Sequence, residues 1–299
     1  MRKPTLGFVG TGKVGHTLAR LWYEKGFSVR AVYSRTPDHG RDLAGQVGAA
    51  VVESPAAAIR SADMTLLTVP DDAIRSVVGE IEEGLLSYIT NTEKAVVHTS
   101  GVLGAEVLLP LARLGLMTGS LHPAFPFADV ETALVGLPGA TFGIEYDSPV
   151  LQDWLVEMVG ALDGHVFAIA PGGKATYHSA FVFASNYVVT LYAIAEKLLL
   201  GLGAEREVAD NALNGLLAGT VANLQQQGVP AALTGPLVRG DAETIKMHLE
   251  ALGRIDGDLV ELYRRLAQLS LPMLEARRIE TSFVEQILNR ESNHASDHS

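Results

Sequence analysis

The stretch Gly10-Thr11-Gly12-Lys13-Val14-Gly15 constrains this chain more than any other. Ahead of it, Thr5-Leu6-Gly7-Phe8-Val9 is short and apolar, as a buried strand is. Behind it, Val14, Leu18, Leu21 and Trp22 recur at helical spacing, and the pattern stops at Gly26, a residue suited to ending a helix. Strand, glycine turn and helix thus follow in the order a βα unit needs. In that setting the first glycine permits a tight turn, the second lets backbone approach a pyrophosphate, and the third lets helix pack on strand. Free N–H groups at the helix start hold the phosphate charge. Gly10, Thr11, Gly12, Lys13, Val14 and Gly15 are therefore the expected phosphate loop. The bland alternative is a glycine-rich βα turn without a ligand.

At 299 residues, 47% apolar and 19% charged, the chain is long enough for two globular domains. It carries 23 basic and 34 acidic residues, a net charge of −11, which argues against a nucleic-acid partner, since duplex affinity comes largely from Lys and Arg on phosphates. Positive charge for an anionic cofactor must then be placed locally. With zero cysteines, disulfides, thiolate nucleophiles and cysteine metal sites are excluded; no metal is expected, and a reducing cytoplasm is the expected compartment. Met1-Arg2-Lys3 is basic, but the apolar run behind it is too short for a signal peptide. Ala180 to Leu202 is apolar yet carries Ser185, Asn186, Glu196 and Lys197, so a buried helix is expected there, with no membrane partner.

Phe27 to Tyr33 reads as a second strand, ending at Ser34-Arg35-Thr36. A fold that prefers NAD places an acid near this point for the ribose hydroxyls, whereas arginine accommodates a 2′-phosphate. Ser34 and Arg35 thus favour NADP(H), against the alternative of a solvated turn arginine. Ala49 to Val52 follows, then a helix opened by Ser54 and Pro55. Met64 to Val69 makes a fourth strand, with Thr68, Val69 and Pro70 at its end and an aspartate able to cap the next helix. Strands ending at His98-Thr99-Ser100 and at His122-Pro123 come next, then two more at Ala140–Tyr146 and His165–Ala170 around a helix opened by Ser148 and Pro149. Alternating strands and helices imply a parallel sheet, with ligands beyond the strands' carboxyl ends.

Pro171-Gly172-Gly173 marks a boundary, after which the chain reads as helical. The fold class is α/β: an N-terminal Rossmann-type parallel sheet domain (1–170) followed by an all-α C-terminal domain (171–290) and a disordered tail (291–299). Lys174 to about Leu202 reads as one helix. At about 100° per residue, Lys174, His178, Phe181, Ser185 and Tyr192 share one stripe, with Asn186 at its margin. Lys174 faces either a cleft or solvent, and His178 is either a cleft residue or a hydrogen-bonded core histidine. In Thr234-Gly235-Pro236 through Gly240-Asp241, Asp241 is an expected helix cap. Arg239 either receives a substrate carboxylate bidentately or pairs with a nearby acid.

Taken together, the glycine loop, the Ser34-Arg35 end, Thr68-Val69-Pro70-Asp71, His98-Thr99-Ser100-Gly101, Leu121-His122-Pro123, Lys174-Ala175-Thr176-Tyr177-His178 and the Thr234–Asp241 stretch occur in an order that resembles one family. These are bacterial proteins with a Rossmann-like domain followed by a C-terminal domain of unknown function. That family is similar in turn to the 6-phosphogluconate dehydrogenase-like superfamily, with pyrroline-5-carboxylate reductase, ketopantoate reductase and the deazaflavin-dependent NADP reductases. The resemblance implies an NADP-binding fold and a helical domain used for homodimerisation. It supplies no substrate. Hydroxyacid members of the superfamily place an asparagine four residues after the catalytic lysine, where this chain has His178. His122-Pro123 is similar to a stretch of prephenate dehydrogenases, but Ala124-Phe125-Pro126-Phe127 replaces the glycines that follow there.

The expected function is an NADPH-dependent oxidoreductase that reduces a C=O or C=N bond of a small molecule. The cofactor brings the hydride, and His122, His178 or Lys174 the proton. Ser100 orients the substrate or the nicotinamide amide, and Asn186 and Arg239 are substrate candidates. Alternatives are an NADP-binding sensor or scaffold without turnover, deazaflavin:NADP hydride exchange, and a prephenate dehydrogenase-like enzyme.

Overall fold

The structure, a computed structural model, describes residues 2–86 and 93–289. The expected tail at 291–299 lies outside them. Contacts divide the chain into two units, Met1–Thr190 and Leu191–Ser299, so the start of the long helix, which the sequence assigns to the second half, packs with the sheet.

The strands of the first unit are Leu6–Val9 (β1), Val29–Tyr33 (β2), Ala50–Val51 (β3), Met64–Leu67 (β4), Ala95–His98 (β5), Met117–Pro123 (β6), Thr141–Tyr146 (β7) and His165–Ala168 (β8). They form one sheet in the order β3-β2-β1-β4-β5-β6-β7-β8. Its helices are Lys13–Glu24 (α1), Pro37–Val47 (α2), Pro55–Ser61 (α3), Asp71–Leu85 (α4), Leu109–Ala112 (α5), Val130–Gly136 (α6) and Pro149–Gly160 (α7). β1, β4 and β5 are buried along their whole length, because helices cover both faces of the sheet. Leu18, Trp22, Leu43 and Trp154 belong to one apolar layer, and Ile59, Ile74, Val78 and Ile81 to the other. The caps follow local chemistry: Ser54 and Ser148 accept from Ala57 N and Leu151 N, each bond contributing about 1 kcal/mol.

One expectation is corrected here. Six strands are parallel, but β7 runs antiparallel to β6, and β8 follows β7. The connection after β6 folds α6 back on α1, with Arg20 and Glu131 2.7 Å apart, and pairs Phe142 with Pro123. β7 therefore enters from the edge at which β6 leaves.

From Lys174 the chain is helical: Lys174–Phe181 (α8), a π-helical turn at Val182–Asn186, and Tyr187–Gly201 (α9). The expected buried helix is a second correction, since no residue from Ala180 to Leu202 is buried in the single chain. By length and composition alone Lys174–Gly201 could cross a membrane. Its first turn, however, buries Lys174 and Tyr177 against polar groups of the sheet.

The second unit contains Arg206–Gln227 (α10), Pro236–Arg239 (α11), Ala242–Gly253 (α12), Gly257–Ala276 (α13) and Ser282–Asn289 (α14). Ile245, Ala267, Val284 and Leu288 form its core. Asp241 caps α12 as expected, accepting from Thr244 N at 3.1 Å.

Candidate active site

The carboxyl ends of β1, β2, β4, β5 and β6 open on one cleft of about 1030 Å³. At one end lies the glycine loop. Gly10 has φ +106°, and a Cβ there would sit 2.8 Å from the carbonyl carbon of Thr68. At Gly15 a Cβ would meet the Gly10 carbonyl oxygen at 2.5 Å, so α1 packs on β1 only without a side chain. At Gly12 it would meet nothing within 4 Å, which leaves the loop open where a phosphate has to approach. Thr68 donates to the Gly10 carbonyl at 2.7 Å and holds the turn, and Thr11 donates to Ser34 at 2.9 Å. Val14, Val69 and Pro70 also line the cleft, and Lys13 reaches the Ala128 carbonyl at 2.6 Å. Arg35 lines the mouth, exposed, with no ion pair among the described residues. Free helix-start N–H groups, a side-chain-free approach and an uncommitted guanidinium fit a dinucleotide that carries an extra phosphate.

The other end is built by strand register. β6 and β7 pair Ser120 with Glu145 and His122 with Gly143, so both rungs project to one face. α8 lays two side chains, three residues apart, on these rungs. Lys174 Nζ donates to Ser120 Oγ at 3.1 Å, and Ser120 donates to Glu145 Oε2 at 2.7 Å. The Ala105 N–H donates to the same carboxylate oxygen at 3.1 Å. One rung nearer the cleft, the Tyr177 hydroxyl lies 3.1 Å from His122 Nδ1. The rings of His122 and His178 meet edge to face at 5.9 Å. His122 Nε2 and His178 Nδ1 both face Gly101, where a Cβ would lie 2.8 and 2.5 Å from them.

The electrostatics divide this end into a charged depth and a neutral wall. Burial lowers the Lys174 amine to about 8, against the opposing pull of Glu145. Lys174 is 2% exposed and does not itself line the cleft. His122 is pushed down to about 3, by burial first and then by the charge of Lys174, and His98 to about 4 for the same two reasons. Both imidazoles are neutral at pH 7. Because each folded value lies below the unfolded one near 6.5, the unfolded chain binds more protons between them, and stability falls as pH falls. From pH 7 to 5 the two together are expected to remove about 4 kcal/mol. Urea midpoints at the two pH values check this, and a His98→Asn, His122→Asn double variant should flatten the dependence.

Of the other expected site residues, Ser100 is buried in the cleft wall, where its oxygen accepts from Val102 N and Leu103 N at 3.3 and 3.0 Å. Its hydroxyl hydrogen remains available to a ligand. Asn186 is exposed in the π-turn, and Arg239 is exposed in the second unit; neither lines the cleft. Sequence reasoning missed Ser120, Glu145, Tyr177 and Gly101. Glu145 had a signal, a lone acid in the otherwise uncharged strand Thr141–Tyr146.

Residues 5–89 match the family described as NADP oxidoreductase coenzyme F420-dependent, and residues 140–270 match a domain of unknown function, DUF2520. The chain joins these two family domains. No curated protein matches the sequence. Among solved structures, a protein from Thermotoga maritima superposes with a TM-score of 0.72 at 25% identity, over 92% of this chain and 100% of that one. A candidate NADP oxidoreductase from Bacteroides fragilis gives 0.69 at 25%, over 90% and 98%. Pyrroline carboxylate reductase from Plasmodium falciparum, solved with NADP bound, shares the fold at 0.58 and 15%, over 92% and 98%.

Proposed function

We propose that this chain is an NADP(H)-dependent reductase acting on a C=O or C=N bond of a small molecule. One observation carries the reading: a single cleft has the open glycine loop and Arg35 at one end and His122, His178 and Gly101 at the other. The candidate NADP oxidoreductase from Bacteroides fragilis and the match at 5–89 support the nucleotide. Bound there, the dihydronicotinamide supplies a hydride. Gly10–Gly15 and Arg35 would hold the cofactor's phosphates, and Thr68, Val69 and Pro70 line the same cleft. Ser100 orients a carbonyl or amide through its free hydroxyl hydrogen. Of the three candidate proton donors, Lys174, at about 8, holds a proton at pH 7 but does not line the cleft, and His122, at about 3, lines it but holds none to spare.

The test is to mix purified protein with NADPH and a panel of imines, carbonyls and a deazaflavin, and to follow loss of the dihydronicotinamide absorbance. Turnover with an imine or carbonyl supports the reading, and turnover with deazaflavin alone replaces it with hydride exchange. If calorimetry detects binding of neither NADPH nor NADH, the reading is wrong.

The same proposal includes a homodimer through the helical half. Phe183, Val189, Leu202 and Leu216 are each about two-thirds exposed or more in the single chain, apolar surface that a second copy would cover. Light scattering at micromolar concentration should give twice the chain mass, and a monomer would reject this part.

A further inference from the structure

We infer that His122 offers a bare Nε2 lone pair to the substrate's reacting group, which is therefore an N–H iminium and not a carbonyl. The inference rests on the reductase reading and deepens it, naming the bond reduced and the form in which it is taken. It also makes Tyr177 a positioning residue, the one that decides which nitrogen of His122 carries the hydrogen.

Two contacts meet at the Tyr177 hydroxyl. Its oxygen lies 3.1 Å from His122 Nδ1 and 3.4 Å from the backbone carbonyl oxygen of His122. A phenol has one hydrogen to give, and a carbonyl oxygen can only accept. Were that hydrogen given to Nδ1, the phenol and carbonyl oxygens would face each other with no hydrogen between them. When Nδ1–H donates to the phenol and the phenol donates to the carbonyl, both contacts are hydrogen bonds. The carbonyl has two lone pairs, so pairing of His122 with Gly143 across β6 and β7 leaves one for the phenol. The ring is neutral at pH 7, and a hydrogen on Nδ1 therefore leaves Nε2 bare. His178 Nδ1 is sealed off beside Gly101, whereas His122 Nε2 stays accessible and makes no hydrogen bond with the described residues.

A carbonyl oxygen brought to this lone pair meets a second acceptor, and so does an unprotonated imine nitrogen. An N–H iminium meets it with a donor, in a charge-assisted hydrogen bond. The Asp71 carboxylate, at the start of α4, lines the same cleft and favours a cation there, while the lining cations Lys13 and Arg35 belong to the phosphate end. In the reaction the C=N carbon gains the hydride, and the dinucleotide is oxidised. The π pair becomes a lone pair on nitrogen and cancels its charge. The N–H stays on His122 Nε2 throughout, so the step asks no proton of the protein. That suits a cleft from which Lys174 is absent. An alcohol would also satisfy the bare nitrogen, but its oxidation would hand His122 a proton, which burial and the charge of Lys174 oppose.

The experiment uses the full chain at pH 7. Without cofactor or substrate, long-range 1H–15N spectra of 15N-labelled protein report the tautomer of each histidine, and His122 is assigned by the signals lost in His122→Asn. The expected result is an Nδ1–H ring, and a hydrogen on Nε2 overturns the inference. With NADPH, cyclic imines of several ring sizes are then compared with their N-methyl iminium salts and the matching ketones. The expected kcat/KM is about 10- to 100-fold higher for the imine than for either relative, the range for one hydrogen bond to a charged group. A ketone or an N-methyl iminium reduced as fast as its imine overturns the inference. Tyr177→Phe, which keeps the ring packing, should lower kcat/KM about tenfold for the imine and little for the N-methyl salt, with KM for NADPH unchanged. An equal loss on both overturns the positioning role of Tyr177. If no compound oxidises NADPH, the reductase reading falls and the iminium assignment with it, whereas an Nδ1–H ring still supports His122 as an acceptor.

Discussion

Replacing Lys174 with methionine is expected to lower folding stability by about 3–5 kcal/mol, because it leaves the buried Glu145 carboxylate without the charge that faces it. Adding Glu145→Gln should recover most of that loss. It removes the stranded charge and keeps an oxygen for Ser120 and the Ala105 N–H. Urea midpoints of the parent, both single variants and the double variant close the cycle. A Lys174→Met protein as stable as the parent would show that Glu145 does not depend on Lys174. The double variant then separates folding from chemistry. Because Lys174 does not line the cleft, a loss of about 10²–10⁴-fold in turnover by this variant would require a relay of its proton to the substrate. A parental rate would place the proton elsewhere, with His178 next to be replaced.

The second large effect is expected at Arg35. Its substitution by serine should weaken NADPH binding about 10- to 100-fold, the range for losing charge-assisted hydrogen bonds to a phosphate. Binding of NADH, which lacks that phosphate, should stay as it was. Calorimetric titration of both nucleotides into both proteins reads the difference. Because Arg35 is exposed and pairs with no acid among the described residues, its removal should not disturb the fold. Equal weakening of the two nucleotides would mean that the guanidinium touches a part they share.

Features governed by local chemistry were legible in the sequence. The glycine loop, the caps at Ser54, Ser148 and Asp241 and the existence of the first six strands each follow from a few neighbouring residues. Strand direction was not legible, because alternation of polar and apolar residues announces that a strand exists and not which way it runs. The reversal of β7 was therefore missed, and with it the meeting of Ser120 with Glu145. The helical stripe failed for a different reason. A constant 100° per residue holds through α8 and places Lys174 beside His178, but the π-turn at Val182–Asn186 changes the winding. Ser185 and Asn186 thus fall outside the count. Gly143 was readable in principle, since glycine inside a strand often marks the close approach of another group, here the Tyr177 ring.

The two-rung pairing of β6 with β7 also bears on how this chain can be altered. A slip of one residue would turn Ser120 and Glu145, or His122 and Gly143, to opposite sides of the sheet from their helix partners. Insertions between Ala124 and Ala140 that leave the pairing in phase should be tolerated. A single-residue deletion within Thr141–Tyr146 should abolish both arrangements together, even in a protein that still folds.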